Sequence, residues 1–161
     1  MKGSEIRLAN EAWETLFRAQ ATLSREFEHH GDWGDLLPTE YGVLYALTGA
    51  PDGRRMTELC DDVLLTQAGV SRLVARLEQR GLVERAADPD DGRASRIRLT
   101  PAGTDVQRRS GRMHARHVAA AMTRTLDATE LETLRELSRR LLDAATVSRA
   151  TDRSAAEGTT S

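Results

Sequence analysis

TQAGVSRLVARLEQRGLVERAADPDDGRASRIRLT, residues 66–100, decides how the rest of the chain is read. Thr66 suits the N-cap of a helix, Val70, Leu73, Val74 and Leu77 recur at helical spacing, and Gly81 stands where a helix stops. Leu82, Val83 and Glu84 then read as a strand, Asp88-Pro89-Asp90-Asp91-Gly92 as a turn, and Arg96-Ile97-Arg98-Leu99 as a returning strand that alternates charged and apolar residues. A helix of about four turns is thus followed by a basic hairpin.

Working outward, Met56-Thr57-Glu58-Leu59-Cys60 opens a short helix with Leu59 and Val63 facing inward, and Leu64-Leu65 leads into the longer one. Two helices joined by a tight turn form the arrangement that lays its second helix in a DNA major groove. Side chains near the start of that helix suit the task. Gln67 matches an adenine edge, Ser71 a base edge or phosphate, and Arg72 and Arg76 a guanine or the backbone. Arg93 at the hairpin tip suits a narrow minor groove, with Asp91 two residues earlier to hold it. Thr66, Ala68 and Arg96 complete the candidate DNA-contacting set. A helix-turn-helix also occurs in proteins that never touch DNA, and arginine-rich faces are often only solvated. Here a groove-sized helix, a basic wing and an acid-arginine tip occur together.

The stretch from Met56 to Gly103 resembles the MarR family of bacterial winged-helix transcription regulators, closely in TELCDDVLLTQAGVSRLVARLEQRGLVER and DPDDGRASRIRLTPAG and less specifically over residues 5–146. The resemblance makes the helix after Thr66 the recognition helix and Asp91-Gly92-Arg93 the acid-x-arginine wing motif. The chain departs from it at Ala68, where a small hydroxyl residue is frequent, and at Cys60, where alanine is usual. The implied fold is mainly α with a small β wing: a winged helix-turn-helix lobe plus long N- and C-terminal dimerisation helices.

The chain has 161 residues, 4% aromatic and 30% charged, which is room for one DNA-binding lobe and an oligomerisation element rather than a second enzyme domain. Its formal net charge of −2 seems to speak against nucleic acid, but residues 66–98 carry seven arginines against five acids. Local charge is what a phosphate backbone meets. A lone cysteine excludes an intrachain disulfide, the first residues contain no apolar signal region, and no apolar run reaches membrane-spanning length, so a cytoplasmic protein with no membrane partner is expected.

Residues 4–30 read as one helix with a stripe of Ile6, Ala9, Trp13, Leu16, Gln20, Leu23 and Phe27. A second begins at Pro38 and carries Tyr41, Leu44, Tyr45 and Leu47 toward Gly49, and Ala50-Pro51-Asp52-Gly53 is a turn. Beyond the wing, Thr100-Pro101 starts a helix to about Thr125 with an inner line of Val106, Ser110, Met113, His117 and Ala120. Asp127 and Glu130 start another that buries Leu131, Leu134, Leu137, Leu141 and Leu142. The expected division is a dimerisation helix in 1–35, the DNA-binding lobe in 36–100, dimerisation helices in 101–146 and a disordered polar tail in 147–161. The terminal stripes have no evident partner within the chain, and the resemblance independently implies a homodimer. Two recognition helices then call for a palindromic operator with half-sites roughly 34 Å apart or a multiple of that.

The resemblance also implies a small effector, often aromatic or anionic, in a cleft between the DNA-binding lobe and the dimer helices. Candidates here are Trp13, Phe17, Tyr41, Tyr45, Met113 and His117. Packing alone also turns aromatics inward, and His117 on an apolar line can equally be a satisfied core or interface histidine. His114 and His117 at i, i+3 leave a metal-responsive variant open, with Glu26 or Glu28 as further ligands only if the helices meet. Cys60 leaves a redox-responsive one, although Asp61 and Asp62 beside it disfavour the thiolate. No nucleophile-base set, phosphate-binding glycine loop or cofactor motif is present, so neither an enzyme nor a cofactor is expected. The alternative to a regulator is a winged-helix protein-interaction module that does not depend on DNA.

Overall fold

The computed structural model describes residues 2–31, 33–63, 65–89, 91 and 94–157. In chain order the elements are α1 (Gly3–His30), α2 (Pro38–Ala46), β1 (Arg54–Arg55), α3 (Met56–Val63), α4 (Gln67–Gln79), β2 (Val83–Ala87), β3 (Ser95–Leu99), α5 (Pro101–Met122) and α6 (Ala128–Glu157). They fall into two compact units, residues 1–118 and 119–161.

Helix starts share one device. Glu5, Glu40, Glu58 and Glu130 each reach back to the backbone N–H three residues earlier, at Lys2, Leu37, Arg55 and Asp127. Each satisfies a donor that a helix N-terminus otherwise leaves open and sets a negative charge at the positive end of the helix dipole. At α6 the box is complete, because Asp127 Oδ1 also accepts from Glu130 N at 2.9 Å. Thr66 caps α4 by accepting from Gly69 N at 3.2 Å. The helix ends at Gly81, whose φ of 66° belongs to the left-handed region that glycine enters without strain, and Leu82 N closes back onto Leu77 O.

The core of the first unit lies between α2, α3, α4 and the sheet. Val43, Leu44, Leu59, Val70, Val74, Leu77 and Ile97 are fully buried, and a buried Leu or Ile contributes about 1.5–3 kcal/mol. The sheet order is β1-β3-β2, all antiparallel, with Val83 opposite Leu99, Arg85 opposite Ile97, and Arg54 opposite Ile97 on the other edge. Strand β1 follows the expected turn at residues 50–53 and is an element that the sequence reading does not give. Two arginines show no strand alternation, and only the ladder offered by β3 draws them into the sheet. Gly53 before them has φ 78°, and a Cβ there would lie 2.7 Å from Ile97 O.

Three other expectations change. The inner line of α5 passes through Ala121, which is buried, rather than Ala120, which is exposed. Helix α6 continues to Glu157 where a disordered tail was expected from residue 147, since residues 128–157 contain neither glycine nor proline and several alanines favour the helix. The break expected at residue 35 is also not a boundary between units. Trp33 Nε1 donates to Phe27 O at 3.0 Å, and Phe27 packs edge-on against His114, tying the end of α1 to α5. The expected turn tip at Asp90, Gly92 and Arg93 lies outside the described residues.

Candidate nucleic-acid interface

Helix α4 has two chemically opposite sides. Val70, Leu73, Val74 and Leu77 are buried, while Gln67, Ala68, Ser71 and Arg72 are exposed together on the first turns. The 3.6-residue repeat forces this separation once the apolar residues enter the core. Thr66 at the N-cap spends its hydroxyl on Gly69, so its acceptor is already engaged.

Most arginines of the segment turn out to be paired within the fold. Arg85 donates to Glu78 at 3.1 Å and Arg98 to Glu84 at 2.7 Å, both at the surface. Arg96 Nε donates to Asp88 Oδ2 at 3.0 Å, and Arg55 Nε donates to the same oxygen at 2.6 Å. Asp88 has no exposed side-chain area, and this charge-assisted bond holds the Arg55 guanidinium in its charged form, raising its pKa further. Arg76 Nε donates to Glu40 Oε1 at 3.0 Å and Arg80 Nη1 to Glu40 Oε2 at 3.1 Å. Arg72 is different: among the described residues it has neither a hydrogen bond nor an ion pair.

Arg76 and Arg96, grouped from sequence with the base- and phosphate-contacting residues, each make an ion pair within the protein, and the Arg76 side chain is half-exposed. Arg76 braces α4 against α2, and Arg96 ties β3 to the root of the wing. Asp91 accepts from Ala94 N through its carbonyl at 2.9 Å, while Arg93 lies outside the described residues. Glu40 and Asp88 are the pieces that sequence reasoning missed. Charged residues ordinarily read as surface, and each is met by an arginine from a distant segment: Arg76 and Arg80 at Glu40, Arg55 at Asp88. The one local signal was Glu40 standing three residues after the N-cap of α2.

The expected effector residues do not form one group. Tyr41 is buried and packs against Trp33 and His114 with ring centroids 5.2 and 5.4 Å apart, and Tyr45 lies 6.0 Å from it. His114, noted from sequence only as half of a histidine pair, is the centre of this cluster and also meets Trp33 at 4.8 Å. Burial and the nearby His117 lower its pKa. The Nδ1 atoms of His114 and His117 are both buried with no hydrogen-bond partner among the described residues. Burial, with Tyr45 adding to it, raises the pKa of Tyr41. Met113 lines a cavity of about 260 Å³ and Tyr45 a separate one of about 630 Å³. Trp13 and Phe17 stack on each other at 6.3 Å and are 66% and 57% exposed. Among the described residues no group of three or more His, Cys, Asp or Glu is placed to hold a metal ion, and no helix is long and apolar enough to cross a membrane. Cys60 is half-buried against the core.

Comparison with known proteins agrees with this architecture. The MarR family profile matches residues 35–94. The transcriptional regulator HosA of Escherichia coli O111:H- is 30% identical over 101 residues, spanning 63% of this chain and 73% of HosA. The crystal structure of the PcaV transcriptional regulator of Streptomyces coelicolor, in complex with its natural ligand, superposes with a TM-score of 0.62 at 32% identity, covering 84% of this chain and 92% of PcaV. A probable transcriptional regulator of Pseudomonas aeruginosa gives 0.68 at 30% identity over 83% of this chain and 98% of its own. With its helix-turn-helix, three-stranded wing sheet and long flanking helices, the chain belongs to the MarR family of winged-helix transcriptional regulators.

Proposed function

We propose that this regulator is a homodimeric repressor that binds a palindromic operator through α4 and the wing, works in the cytoplasm and leaves DNA when a small molecule binds. The observation that carries DNA binding is the exposed first half of α4. Gln67, Ser71 and Arg72, which has no ion pair among the described residues, stand together on a helix whose opposite side is locked in the core. Such a surface offers hydrogen-bond donors and an unneutralised cation at groove width. Arg93, which falls between β2 and β3 in the sequence, is the proposed minor-groove contact.

Exposed apolar residues on α1 and α6 support a dimer. Ile6, Leu8, Trp13, Leu16 and Phe17 on the first, and Leu137, Leu141 and Leu142 on the second, face solvent in the single chain. Stripes of that size mark association surfaces. The aromatic cluster around His114, with two buried imidazole nitrogens that have no hydrogen-bond partner among the described residues, supports an aromatic effector carrying polar substituents, and the likeness to PcaV, solved in complex with its natural ligand, supports a ligand for this chain.

The test is a titration of the purified protein on DNA from upstream of its own gene, with random competitor DNA and a series of salt concentrations. Salt-sensitive preference for a palindrome is expected. Equal affinity for random DNA would sink the proposal.

A further inference from the structure

Helix α5 carries four arginines, Arg108, Arg109, Arg112 and Arg116, against a single acid, Asp105. At 3.6 residues per turn the four fall within an arc of roughly 100°, on the side away from the buried Gly103, Ser110 and Ala121, and all four are exposed. Arg108 pairs with Asp105 at 3.5 Å. Arg109, Arg112 and Arg116 have neither a hydrogen bond nor an ion pair among the described residues.

The other long helices treat exposed arginines differently. On α1 Arg7 meets Glu11 and Arg18 meets Glu14, and on α6 Arg139 meets Glu136, each one turn away. An acid at that distance lets a charged helix face stand in water without a partner. Along the α5 ridge the neighbours three and four residues apart are further arginines, the spacing at which like charges repel. The ridge is also separate from the apolar association stripes, because the large apolar side chains exposed on the long helices belong to α1 and α6.

We propose that this ridge is a docking surface for an acidic helix of a partner protein. Arg109, Arg112 and Arg116 stand at i, i+3 and i+7, the interval at which carboxylates repeat along one side of a facing helix, and flanking charges in paired helices choose partners in this way. Guanidinium forks match carboxylates in two-point geometry. A duplex held by the first turns of α4 leaves the ridge accessible. Arg109 lines a cavity with Arg80, the C-cap of α4, which lies about 20 Å along that helix from Gln67. The docking surface therefore does not rest on the DNA-binding proposal.

Fluorescence anisotropy with the full-length protein tests it. The probes are a labelled helical peptide with glutamates at i, i+3 and i+7 in an alanine host, the same peptide with glutamine in their place, and a random-sequence DNA duplex. The glutamate peptide is expected to bind saturably, at least about tenfold more tightly than the glutamine peptide, and to weaken as salt is raised. Arg112→Glu combined with Arg116→Glu should weaken it by about tenfold or more, with circular dichroism confirming that the variant is folded. Arg135→Glu combined with Arg140→Glu makes the same change in net charge at exposed positions of α6 and should leave the peptide affinity unchanged. No saturable binding up to about 1 mM peptide, equal binding of the glutamine peptide, or full affinity in the folded α5 variant overturns the docking surface. So does an equal loss in the two variants, which would reduce the effect to net charge. A duplex that loses as much affinity as the peptide in the α5 variant, and keeps it in the α6 variant, overturns the protein partner in favour of a nucleic-acid surface.

Discussion

Arg76 Nε donates to Glu40 Oε1 across 3.0 Å, so an arginine of α4 is anchored to a carboxylate that is only 2% exposed on α2. Breaking a buried pair from the acid side leaves two guanidiniums and the Leu37 N–H without their acceptor. Glu40→Ala is expected to cost about 3 kcal/mol, measured by urea unfolding. Arg76→Ala should cost distinctly less, since Arg80 and Leu37 N still satisfy Glu40. Equal losses would show that Glu40 is not the hub of the cluster.

Asp88 plays the corresponding part at the wing, receiving Arg55 at 2.6 Å and Arg96 at 3.0 Å. Replacing it with alanine removes the buried carboxylate that Arg55 and Arg96 share and loosens the side-chain tie between β1 and the root of the hairpin. A loss of about 3 kcal/mol is expected, together with weaker operator binding. A variant as stable as the parent in thermal and urea unfolding would contradict the buried geometry.

Arg72 and Arg85 should separate DNA contact from surface pairing. Arg72→Ala is expected to lower the slope of log affinity against log salt by about one with stability changed by less than about 0.5 kcal/mol. Arg85, paired with Glu78, should leave the slope unchanged when truncated. A salt titration of operator binding by each variant decides.

Gly103 reverses the usual helix rule. Alanine in a helix interior is ordinarily about 1 kcal/mol better than glycine, but in the first turn of α5 a Cβ would come within 1.8 Å of Leu82 O. Gly103→Ala should therefore destabilise by more than about 2 kcal/mol, through a backbone shift between α5 and β2. A raised melting temperature would refute this close approach.

His114 makes stability pH-dependent. Its folded pKa lies below the ordinary value of 6.5, so the unfolded chain takes up the proton first as pH falls. Its contribution is fully present above about pH 6.5 and declines below it until the folded ring also protonates. The net uptake on unfolding in that window is at most one proton from this residue. His114→Phe should flatten the fall in urea midpoint between about pH 6.5 and 5, and an identical pH profile would count against it.

The local devices were readable from the residues themselves. Val70, Leu73, Val74 and Leu77 at helical spacing, Thr66 before them and Gly81 after them determined α4 and therefore which side of it is exposed. Asp127 and Glu130 determined the start of α6 in the same way. Caps, turns and amphipathic repeats act over three to seven residues, within the range that sequence spacing reports. Placing α4 beside a basic hairpin, and from that the family, needed nothing more.

The partners of the charges were decided only in three dimensions. Glu40 finds Arg76 and Arg80, and Asp88 finds Arg55, across separations at which spacing carries no information. The same holds for β1, which exists because β3 presents an open ladder to Arg54 and Arg55, and for His114, made the centre of an aromatic cluster by Phe27, Trp33 and Tyr41 from other segments. An acid or arginine in sequence looks the same whether water or a buried counter-charge will solvate it. Chain closure determines which.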